Sequence, residues 1–379
     1  MVAVWWCAKR DLLSYVKWWI CKASNGMLQN LEYALSRSKK MILHLLSSAT
    51  HSVRFVEFMQ TYFDLKKHKF VYVRPDVCKY GLSNFKEVEH ISTLNQRLKL
   101  IYLMQKADKI ILHGLWRYEV INLLYFQKWL LKKCYWVLWG GDFCLGKESY
   151  SKRHNFVLQN VGHLISIAGD YAYVKKEYNA KGEVFYSKSF YVSNVFNGEF
   201  YLSNKNKKLM ILIGNSADPL NLHKDILNAL TPYKDSNIEL ICPLSYGSNK
   251  EYQDEIIEYG KNIFGDKFKP LIEFMPLNAY LDLLSSLDIA IFAHKNQQAY
   301  GNIIQLLGMG KKVYMRKTTA YNEVLKNGLK VFDFDSGVDL CRIDDKNAIE
   351  NHRLAKKIYS LENMKREFEE LFGVDDEAF

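Results

Sequence analysis

Two short polar motifs in the first half of the chain carry residue types suited to acid–base chemistry. They are His113-Gly114 and Trp139-Gly-Gly-Asp142, and each follows an apolar segment. Because parallel strands end at the same edge of a sheet, we expect both motifs to face one cleft. There an imidazole or a carboxylate can remove a proton from a hydroxyl group. We predict Asp142 as the first candidate for that base and His113 as the second.

Three further residues are expected on the same surface. His44 and His51 flank the first predicted strand–helix turn, and Trp139 offers an apolar face for a ring. A structural interpretation stays open for all of these positions. A single histidine at a strand end is more often a hydrogen-bonding residue, and Gly-Asp is common in turns.

A glycine turn in the second half has the pattern of an anion site. The apolar segment Leu209–Ile213 precedes Gly214, Asn215 and Ser216, and a helix is expected to begin between Asp218 and Asn221. The first amides of a helix lack intrahelical acceptors, and the helix dipole adds partial positive charge, so this geometry suits phosphate. An ordinary strand–helix turn is the alternative, and Asp218 near the helix start would repel a phosphate.

A glutamine-rich loop is the third candidate. It lies between a predicted strand ending at His294 and a predicted helix, and Gln297 and Gln305 are eight residues apart. Glutamine both donates and accepts, so it can hold a ribose hydroxyl or a phosphate oxygen without adding negative charge. A generic strand–helix–strand unit is the alternative. The ligand-facing residues that we predict are Gln297, Gln298, Gly301, Asn302 and Gln305.

The elements that must position these residues alternate along the chain. Met41–Ser48, Leu209–Ile213 and Leu271–Met275 are among the predicted strands, and Lys250–Phe264 is among the predicted helices. Such alternation indicates parallel sheets with helices on both faces. We therefore predict an α/β fold of the GT-B type, in which two Rossmann-like doubly wound domains face a central cleft. A two-lobed periplasmic-type binding protein has the same periodicity, so the fold alone does not decide the function.

The predicted organisation has four parts. Residues 41–204 form an N-terminal acceptor-binding domain, residues 205–345 a nucleotide-sugar-binding domain, and residues 346–379 closing helices. The polar segment Ser203–Lys208 is the expected linker. Residues 1–40 are a basic, tryptophan-rich extension, and two interpretations of it stay open: a segment that lies on an anionic membrane, or an over-called start of the chain.

Composition narrows the function classes. The net charge of +11 and a pI near 9.0 indicate an anionic partner. Residues 1–40 alone contain seven basic and two acidic residues. The seven cysteines include no C-x-x-C pair, so we expect reduced thiols and no zinc site. No P-loop, metalloprotease, G-x-S-x-G or kinase signature is present, and no nucleic-acid-binding module is recognisable.

Taken together, several motifs resemble one family, the TDP-N-acetylfucosamine:lipid II N-acetylfucosaminyltransferases, also labelled 4-alpha-L-fucosyltransferases (glycosyltransferase family 56). The resemblance runs from about Met41 to about Asp335, and the sequence departs from it in residues 1–40 and at Ala217 and Leu222. The residues that carry it are Ile211–Asp218, Asn221, His223, Trp139–Asp142, His113-Gly114, Pro243, Tyr246 and Gln298–Gly310.

The resemblance implies an enzyme that moves a 4-acetamido-4,6-dideoxyhexose from a dTDP-sugar to an undecaprenyl-diphosphate-linked oligosaccharide. It implies a peripheral location on the cytoplasmic side of the bacterial inner membrane, as in enterobacterial common antigen or O-antigen synthesis. We expect an anionic membrane surface as a partner, and neither a metal nor another cofactor. A UDP- or GDP-sugar donor and a non-catalytic two-lobed binding protein remain alternatives. The implied donor-side residues are Gly214, Asn215, Ser216, Asp218 and Tyr246, with His113 and Asp142 facing the acceptor.

Overall fold

Residues 41–47, 50–73, 81–115, 117–201, 208–247 and 250–373 are described by a computed structural model. The predicted extension, residues 1–40, and nearly all of the predicted linker lie outside these ranges. The described residues from Ile42 onward form one compact unit, which contains two parallel sheets.

Within the described residues, the first sheet has seven parallel strands in the order β3-β2-β1-β4-β5-β6-β7. The strands are β1 (Ile42–Leu46), β2 (His68–Val73), β3 (Val88–Ile91), β4 (Lys109–Leu112), β5 (Cys134–Val137), β6 (His163–Ser166) and β7 (Glu183–Tyr186). We call the part of the chain that contains this sheet the first half and the part that contains the second sheet the second half. The helices of the first half are α1 (Thr50–Tyr62), α2 (Leu94–Lys106), α3 (Tyr118–Phe126), α4 (Lys152–Asn160) and α5 (Tyr171–Tyr178).

The second sheet repeats this arrangement with six parallel strands among the described residues, in the order β10-β9-β8-β11-β12-β13. The strands are β8 (Leu209–Ile213), β9 (Ile238–Pro243), β10 (Phe268–Leu271), β11 (Ile289–Phe292), β12 (Lys312–Met315) and β13 (Phe332–Asp333). The helices are α6 (His223–Leu230), α7 (Lys250–Phe264), α8 (Leu277–Ser286), α9 (Tyr300–Gly308) and α10 (Thr319–Lys326). In each sheet the strand order reverses beside the first strand, and ligands of doubly wound folds bind beyond the strand ends at that point.

The central strands form because they can be buried on both faces. All five residues of β1 are buried, and so is most of β8. Parallel strands covered by helices on both sides read as continuous apolar runs rather than as alternating patterns. The one polar side chain within β1, His44, therefore lies in the core.

The predicted strand Leu271–Met275 is wrong in position. The observed strand β10 ends at Leu271, and the apolar residues after it are exposed, Ile272 by 54% and Phe274 by 73%. Pro270 argues against a strand in the sequence because proline cannot donate to a ladder. Here it is tolerated because β10 is an edge strand, which among the described strands pairs with β9 alone. Three observed elements, the strand β3 and the helices α4 and α5, were not predicted from the sequence.

Two helices close the described chain. α11 (Asp345–Ile358) packs against α9, whereas α12 (Leu361–Phe372) returns to the first sheet. There the ring of Phe368 packs against Phe55 and Phe190, and the Glu367 carboxylate accepts hydrogen bonds from the N–H groups of Lys188 and Ser189. α12 therefore ties the two halves together, and the boundary near residue 346 stays a prediction.

The carboxyl edges of the two sheets meet through glycines. A Cβ atom on Gly140, after β5, would lie 2.7 Å from the carbonyl oxygen of Gln297, after β11. A Cβ atom on Gly301, in the first turn of α9, would lie 2.6 Å from the carbonyl oxygen of Ser193. Both neighbours are backbone atoms, which cannot move away as a flexible side chain can. Glycine at these positions therefore permits the close approach of the two sheets.

This contact generates a test with a matched control. Gly140→Ala should lower the free energy of unfolding by about 1–3 kcal/mol, the usual cost of overpacking. Gly141→Ala should change it little, because no atom of the described residues, its two chain neighbours apart, lies within 4 Å of the position of its Cβ. Thermal unfolding of both variants checks the expectation. Equal midpoints for the two variants would contradict the described contact.

Candidate functional site

Asp142 lies at the carboxyl edge of the first sheet but is fully buried. Its Oδ2 accepts hydrogen bonds from the N–H of Leu115 and the indole N–H of Trp136, both at 2.7 Å, and its Oδ1 accepts one from the N–H of Trp139 at 3.1 Å. Burial raises the pKa of Asp142 to about 8, although these hydrogen bonds act in the opposite direction. The predicted role as the base is not supported here, because no substrate hydroxyl can reach the carboxylate. It positions the loops after β4 and β5.

His113 and His44 are also enclosed rather than exposed on an acceptor-side surface, contrary to expectation. His113 Nδ1 lies 2.9 Å from the Tyr191 hydroxyl, and His113 Nε2 lies 3.3 Å from His44 Nδ1. His44 Nε2 in turn lies 3.0 Å from His68 Nδ1. These contacts form a continuous row of buried hydrogen bonds from Tyr191, after β7, to His68 at the start of β2.

The direction of this row follows from Trp139. Its indole N–H, which can only donate, lies 3.1 Å from the Tyr191 hydroxyl oxygen. Tyr191 satisfies its own buried O–H by donating to His113 Nδ1. His113 then donates from Nε2 to His44, and His44 donates from Nε2 to His68. The opposite direction would leave the Tyr191 O–H without an acceptor, which is costly in a buried site.

The histidines of this row are neutral. Burial lowers the pKa of His113 to about 3 and the pKa of His68 to about 4, and it lowers the pKa of His44 well below its usual value. A charged imidazole in the row would lose its hydration without gaining an anionic partner within it. The row is therefore a structural support beneath the cleft.

His51 and Trp139 lie beyond the carboxyl ends of β1 and β5, and their predicted place on the acceptor side stays a prediction. Both are half-buried, and their rings meet edge to face with centroids 5.0 Å apart. His51 Nδ1 lies 3.1 Å from the Ser193 hydroxyl oxygen. Burial, with a smaller contribution from Arg54, lowers the pKa of His51 to about 4.

The main-chain amides of the Gly214 turn were expected to be free, but several of them are hydrogen-bonded within the protein. The N–H of Gly214 donates to Ile291, the N–H of Asn215 donates to the Asn221 side chain at 2.8 Å, and the N–H of Ala217 donates to Tyr246. The predicted contact of bare Gly214 and Asn215 amides with a phosphate is therefore wrong. The physical reason is local, because Asn221 folds back over the turn and takes the place of an anion.

The helix after this turn also starts later than predicted. Pro219–Asn221 forms a short 3-10 turn, and Asp218 caps it by accepting a hydrogen bond from the N–H of Leu220 at 2.9 Å. Leu222 then adopts a left-handed conformation with φ 55°, and α6 begins at His223. Asp218 is thus a capping residue, not a neighbour of free helix amides.

Side chains from both predicted donor motifs do come together. The Asn302 amide donates to Asn215 Oδ1 and to the Tyr280 hydroxyl, at 3.1 Å each. The Asn221 amide donates to Ser216 Oγ at 3.2 Å and approaches Gln298 Oε1 at 3.4 Å. The Gly214 turn and the glutamine-rich loop therefore form one polar site.

The free amides that suit an anion lie at the start of α9. Its N-cap, Ala299, is left-handed with φ 56°, and no side chain of the described residues caps the helix. The first amides of a nine-residue helix are then available to a ligand, with the helix dipole behind them. Gly301 and Asn302 belong to this turn, and Gln297 and Gln298 precede it.

Two other predicted donor-side residues, Tyr246 and Gln305, differ from each other in exposure. Tyr246 is 52% exposed beside this site, and its carbonyl accepts the hydrogen bond from Ala217. Gln305 is buried one turn further along α9, and its amide donates to the carbonyl of Val195 at 2.6 Å. Gln305 therefore holds the connecting segment, and the structure does not support its contact with a ligand.

Sequence reasoning missed residues that complete the site. Tyr280 lies on α8 inside an ordinary helical pattern, and Tyr191 and Ser193 lie in a segment without any motif. His294, whose Nε2 donates to Asn221 Oδ1 at 3.0 Å, had a usable signal because it directly follows a buried strand. The contacts of Tyr280, Tyr191 and Ser193 are with residues that are distant in the sequence, so no local pattern could reveal them.

Within the described ranges, no three His, Cys, Asp or Glu side chains are grouped so that they could hold a metal ion. In the same ranges, no helix has the length and apolar content needed to cross a membrane. The absence of a required metal stays a prediction.

Comparison with known proteins identifies relatives of this arrangement. A sequence model of the family described as 4-alpha-L-fucosyltransferase glycosyl transferase group 56 matches residues 40–349. Among solved structures, a glycosyltransferase from Rickettsia africae is similar, with a TM-score of 0.63 and 13% identity over 89% of this chain and 98% of that one. The HepE protein of Anabaena, solved with UDP and glucose, has a TM-score of 0.64 and 12% identity over 89% of this chain and all of that one. The fold shared with these structures confirms the predicted GT-B fold class.

The buried histidines predict acid sensitivity. Burial lowers the pKa of six described histidines to about 4 or below: His51, His68, His113, His154, His223 and His294. Burial also lowers the pKa of a seventh, His44, well below its usual value. Below pH 6.5 these histidines are protonated in the unfolded chain but stay neutral in the folded chain. Each of them therefore lowers the free energy of unfolding by up to about 1.4 kcal/mol for every pH unit of further acidification. Burial also raises the pKa of Asp142 to about 8 and of Asp170 to about 7, so these two carboxyl groups stabilise the folded chain as the pH falls. The loss of stability from the seven histidines is larger than this gain from two carboxyl groups.

We therefore expect the thermal midpoint to be lower at pH 5.5 than at pH 7.5, by the equivalent of several kcal/mol. The drop should persist in high salt, because desolvation rather than screened charge–charge repulsion causes it. An unchanged or higher midpoint at pH 5.5 would show that these imidazoles are not neutral and enclosed.

Proposed function

Because this chain belongs to the 4-alpha-L-fucosyltransferase glycosyl transferase group 56 family, we propose that it moves a 4-acetamido-4,6-dideoxyhexose from a dTDP-sugar to an undecaprenyl-diphosphate-linked oligosaccharide. The protein is a glycosyltransferase of the GT-B type. The proposed reaction belongs to bacterial surface polysaccharide synthesis, either enterobacterial common antigen or O-antigen. The proposed place is the cytoplasmic side of the inner membrane, with the protein bound peripherally.

The observation that carries the donor proposal is the uncapped start of α9. A diphosphate there would receive hydrogen bonds from main-chain amides, which add no counter-charge of their own and need no reorganisation during the reaction. The amides of Asn302 and Gln298 and the hydroxyl of Tyr280 border this position. As the sugar leaves, negative charge grows on the diphosphate, and the same amides stabilise it.

Neutral side chains around the helix start favour a donor bound without a bridging metal. The polar groups that meet there are the amides of Asn215, Gln298 and Asn302 and the phenol of Tyr280. A divalent ion in proteins prefers carboxylate ligands, and these residues supply none. Retention of activity in a chelator such as EDTA is the corresponding expectation.

Asn302→Asp tests the donor site. A carboxylate in the first turn of α9 would face the diphosphate, so we expect the affinity for dTDP to fall about tenfold or more, equivalent to about 1.4 kcal/mol. Asn278→Asp is the matched control, because it adds the same charge at an exposed position in the first turn of α8. Calorimetric titration with dTDP measures both. Equal affinities in the two variants would remove α9 from the donor site.

The same titration distinguishes the alternatives for the donor. Tighter binding of UDP or GDP than of dTDP would contradict the proposed nucleotide. Binding of a nucleotide without any transfer, across lipid-linked acceptors and donor sugars, would favour the non-catalytic two-lobed binding protein.

An exposed surface of the first half supports the proposal of a membrane partner. Four large apolar side chains on α2, on α3 and in the turn after α3 are exposed: Leu98 by 60%, Tyr102 by 59%, Phe126 by 64% and Trp129 by 51%. The end of α2 is joined to the turn after α3, since the Trp129 indole donates to Gln105 and Gln105 donates to Gln127. We call these four residues the aromatic surface.

Basic residues surround the aromatic surface. Residues 94–106 and 126–133 contain no aspartate or glutamate, and their six basic residues are Arg97, Lys99, Lys106, Lys128, Lys132 and Lys133. Lys106 lies over the ring of Tyr102, and Arg153 lies over the ring of Phe126. Exposed aromatic rings among lysines and arginines suit the interface of an anionic bilayer.

Replacing Phe126 and Trp129 together by serine should weaken binding to vesicles that contain phosphatidylglycerol. Phe274→Ser is the control, because that ring is 73% exposed but lies on the other half of the molecule. Vesicle flotation of the full chain measures the effect, and binding to vesicles of pure phosphatidylcholine should be weak throughout. Undiminished binding of the double variant would assign the membrane contact to another part of the chain.

A further inference from the structure

His51 occupies a position that the other histidines of the first half do not share. It is the second residue of α1, directly beyond the carboxyl end of β1, where the strand order of the first sheet reverses. Ligands of doubly wound folds bind at this point. Its ring is held from two sides, by the edge-to-face contact with Trp139 and by the hydrogen bond between Nδ1 and Ser193.

The outer nitrogen of His51 is available. No described residue forms a hydrogen bond with Nε2, and Nε2 is not one of the unpartnered side-chain atoms that are sealed from solvent. His113 and His44 differ, because both nitrogens of His44 and both nitrogens of His113 are occupied within the buried row. Asp142 differs as well, since both carboxylate oxygens accept hydrogen bonds from the protein.

His51 is also next to the proposed donor site. Its partner Ser193 touches the first turn of α9, where the Ser193 carbonyl lies against Gly301. Its other partner, Trp139, precedes Gly140, which lies against the carbonyl of Gln297. The two residues that hold the imidazole are thus connected to the two sides of the turn that would bind the diphosphate.

We propose that His51 is the catalytic base that removes the proton from the attacking hydroxyl group of the acceptor, and that Ser193 is its positioning residue. This inference deepens the proposed function and rests on it. The Nδ1–H of His51 donates to Ser193 Oγ, which leaves the lone pair of Nε2 directed to the cleft. The arrangement is that of a base whose orientation is set by a third group.

The step balances within the residues and substrates named. The acceptor O–H proton passes to His51 Nε2, and the acceptor oxygen forms a bond with the anomeric carbon of the donor sugar. The bond between that carbon and the diphosphate oxygen breaks, and its electron pair leaves with the nucleoside diphosphate. The imidazolium then returns its proton to solvent, and the positive charge of nearby Arg54 favours that return.

His51→Gln is the primary test. Removing a general base typically costs a factor of about 10²–10⁴, so we expect kcat to fall at least about 100-fold. The affinity for the nucleoside diphosphate should change less than about threefold, because the α9 amides and not His51 bind it. His163→Gln is the matched control, since that ring stacks on Tyr135 at the start of β6, at the opposite edge of the sheet.

Two further variants separate a base from a structural residue. Ser193→Ala should lower kcat about tenfold with little change in KM for the donor, since the imidazole persists but loses its orientation. His51→Gly should regain part of its turnover in added imidazole, and no regain is expected for Ser193→Ala. A merely structural role for His51 would not produce this difference.

The outcomes are distinct for each proposal. A kcat of His51→Gln within threefold of the parent, or a loss confined to donor affinity, would overturn the role of His51. All rates are compared with the donor that the parent protein turns over. If that donor is a UDP-sugar, the proposed nucleotide is wrong, while the comparison of the His51 variants still decides the role of the imidazole.

Discussion

The direct contact between the carboxyl edges of the two sheets is the constraint on which the rest of the structure depends. Gly140 lies against the carbonyl of Gln297, and Gly301 lies against the carbonyl of Ser193. Both are contacts with backbone, and any side chain on either glycine would separate the two halves. Because of this approach, the polar site around α9 lies next to the half-buried pair His51 and Trp139. The proposed diphosphate site belongs to the second sheet and the proposed base to the first, so both depend on this contact.

Desolvation determines what the polar residues beneath the cleft can do. Asp142, His44 and His113 have the chemical types of an acid–base site, yet each is enclosed with its polar atoms satisfied by neighbours. Burial raises the pKa of the acid and lowers the pKa values of the imidazoles, so all favour the neutral form near neutral pH, and the hydrogen bonds to Asp142 only partly oppose this. Their effect on catalysis is through position. These buried residues hold Trp139 and Tyr191 in place, and the ring of His51 packs against the rings of both.

Much of the fold was accessible from the pattern of the sequence, and the failures have physical causes. Buried parallel strands such as β1 and β8 produce unbroken apolar runs that few other elements imitate. β10 was misplaced because a proline lies in an edge strand and exposed apolar residues follow it. The site was accessible in outline: Asn215, Ser216, Gln298 and Asn302 do converge. The roles within it were less accessible, since the N–H of Asn215 in the Gly214 turn donates to the side chain of Asn221, six residues after Asn215.

The amino-acid sequence by itself determined the α/β class, the two doubly wound sheets and the strand ends at which polar residues collect, because periodicity and glycine placement are local properties of the chain. Only the tertiary structure decided which of those polar residues reach the cleft. Burial and hydrogen-bond partners come from segments far apart in the chain, as Trp139 and Tyr191 show for His113, and Ser193 shows for His51. Two histidines therefore differ in their surroundings: both ring nitrogens of His113 are occupied within the core, whereas Nε2 of His51 has no partner among the described residues and is not sealed from solvent.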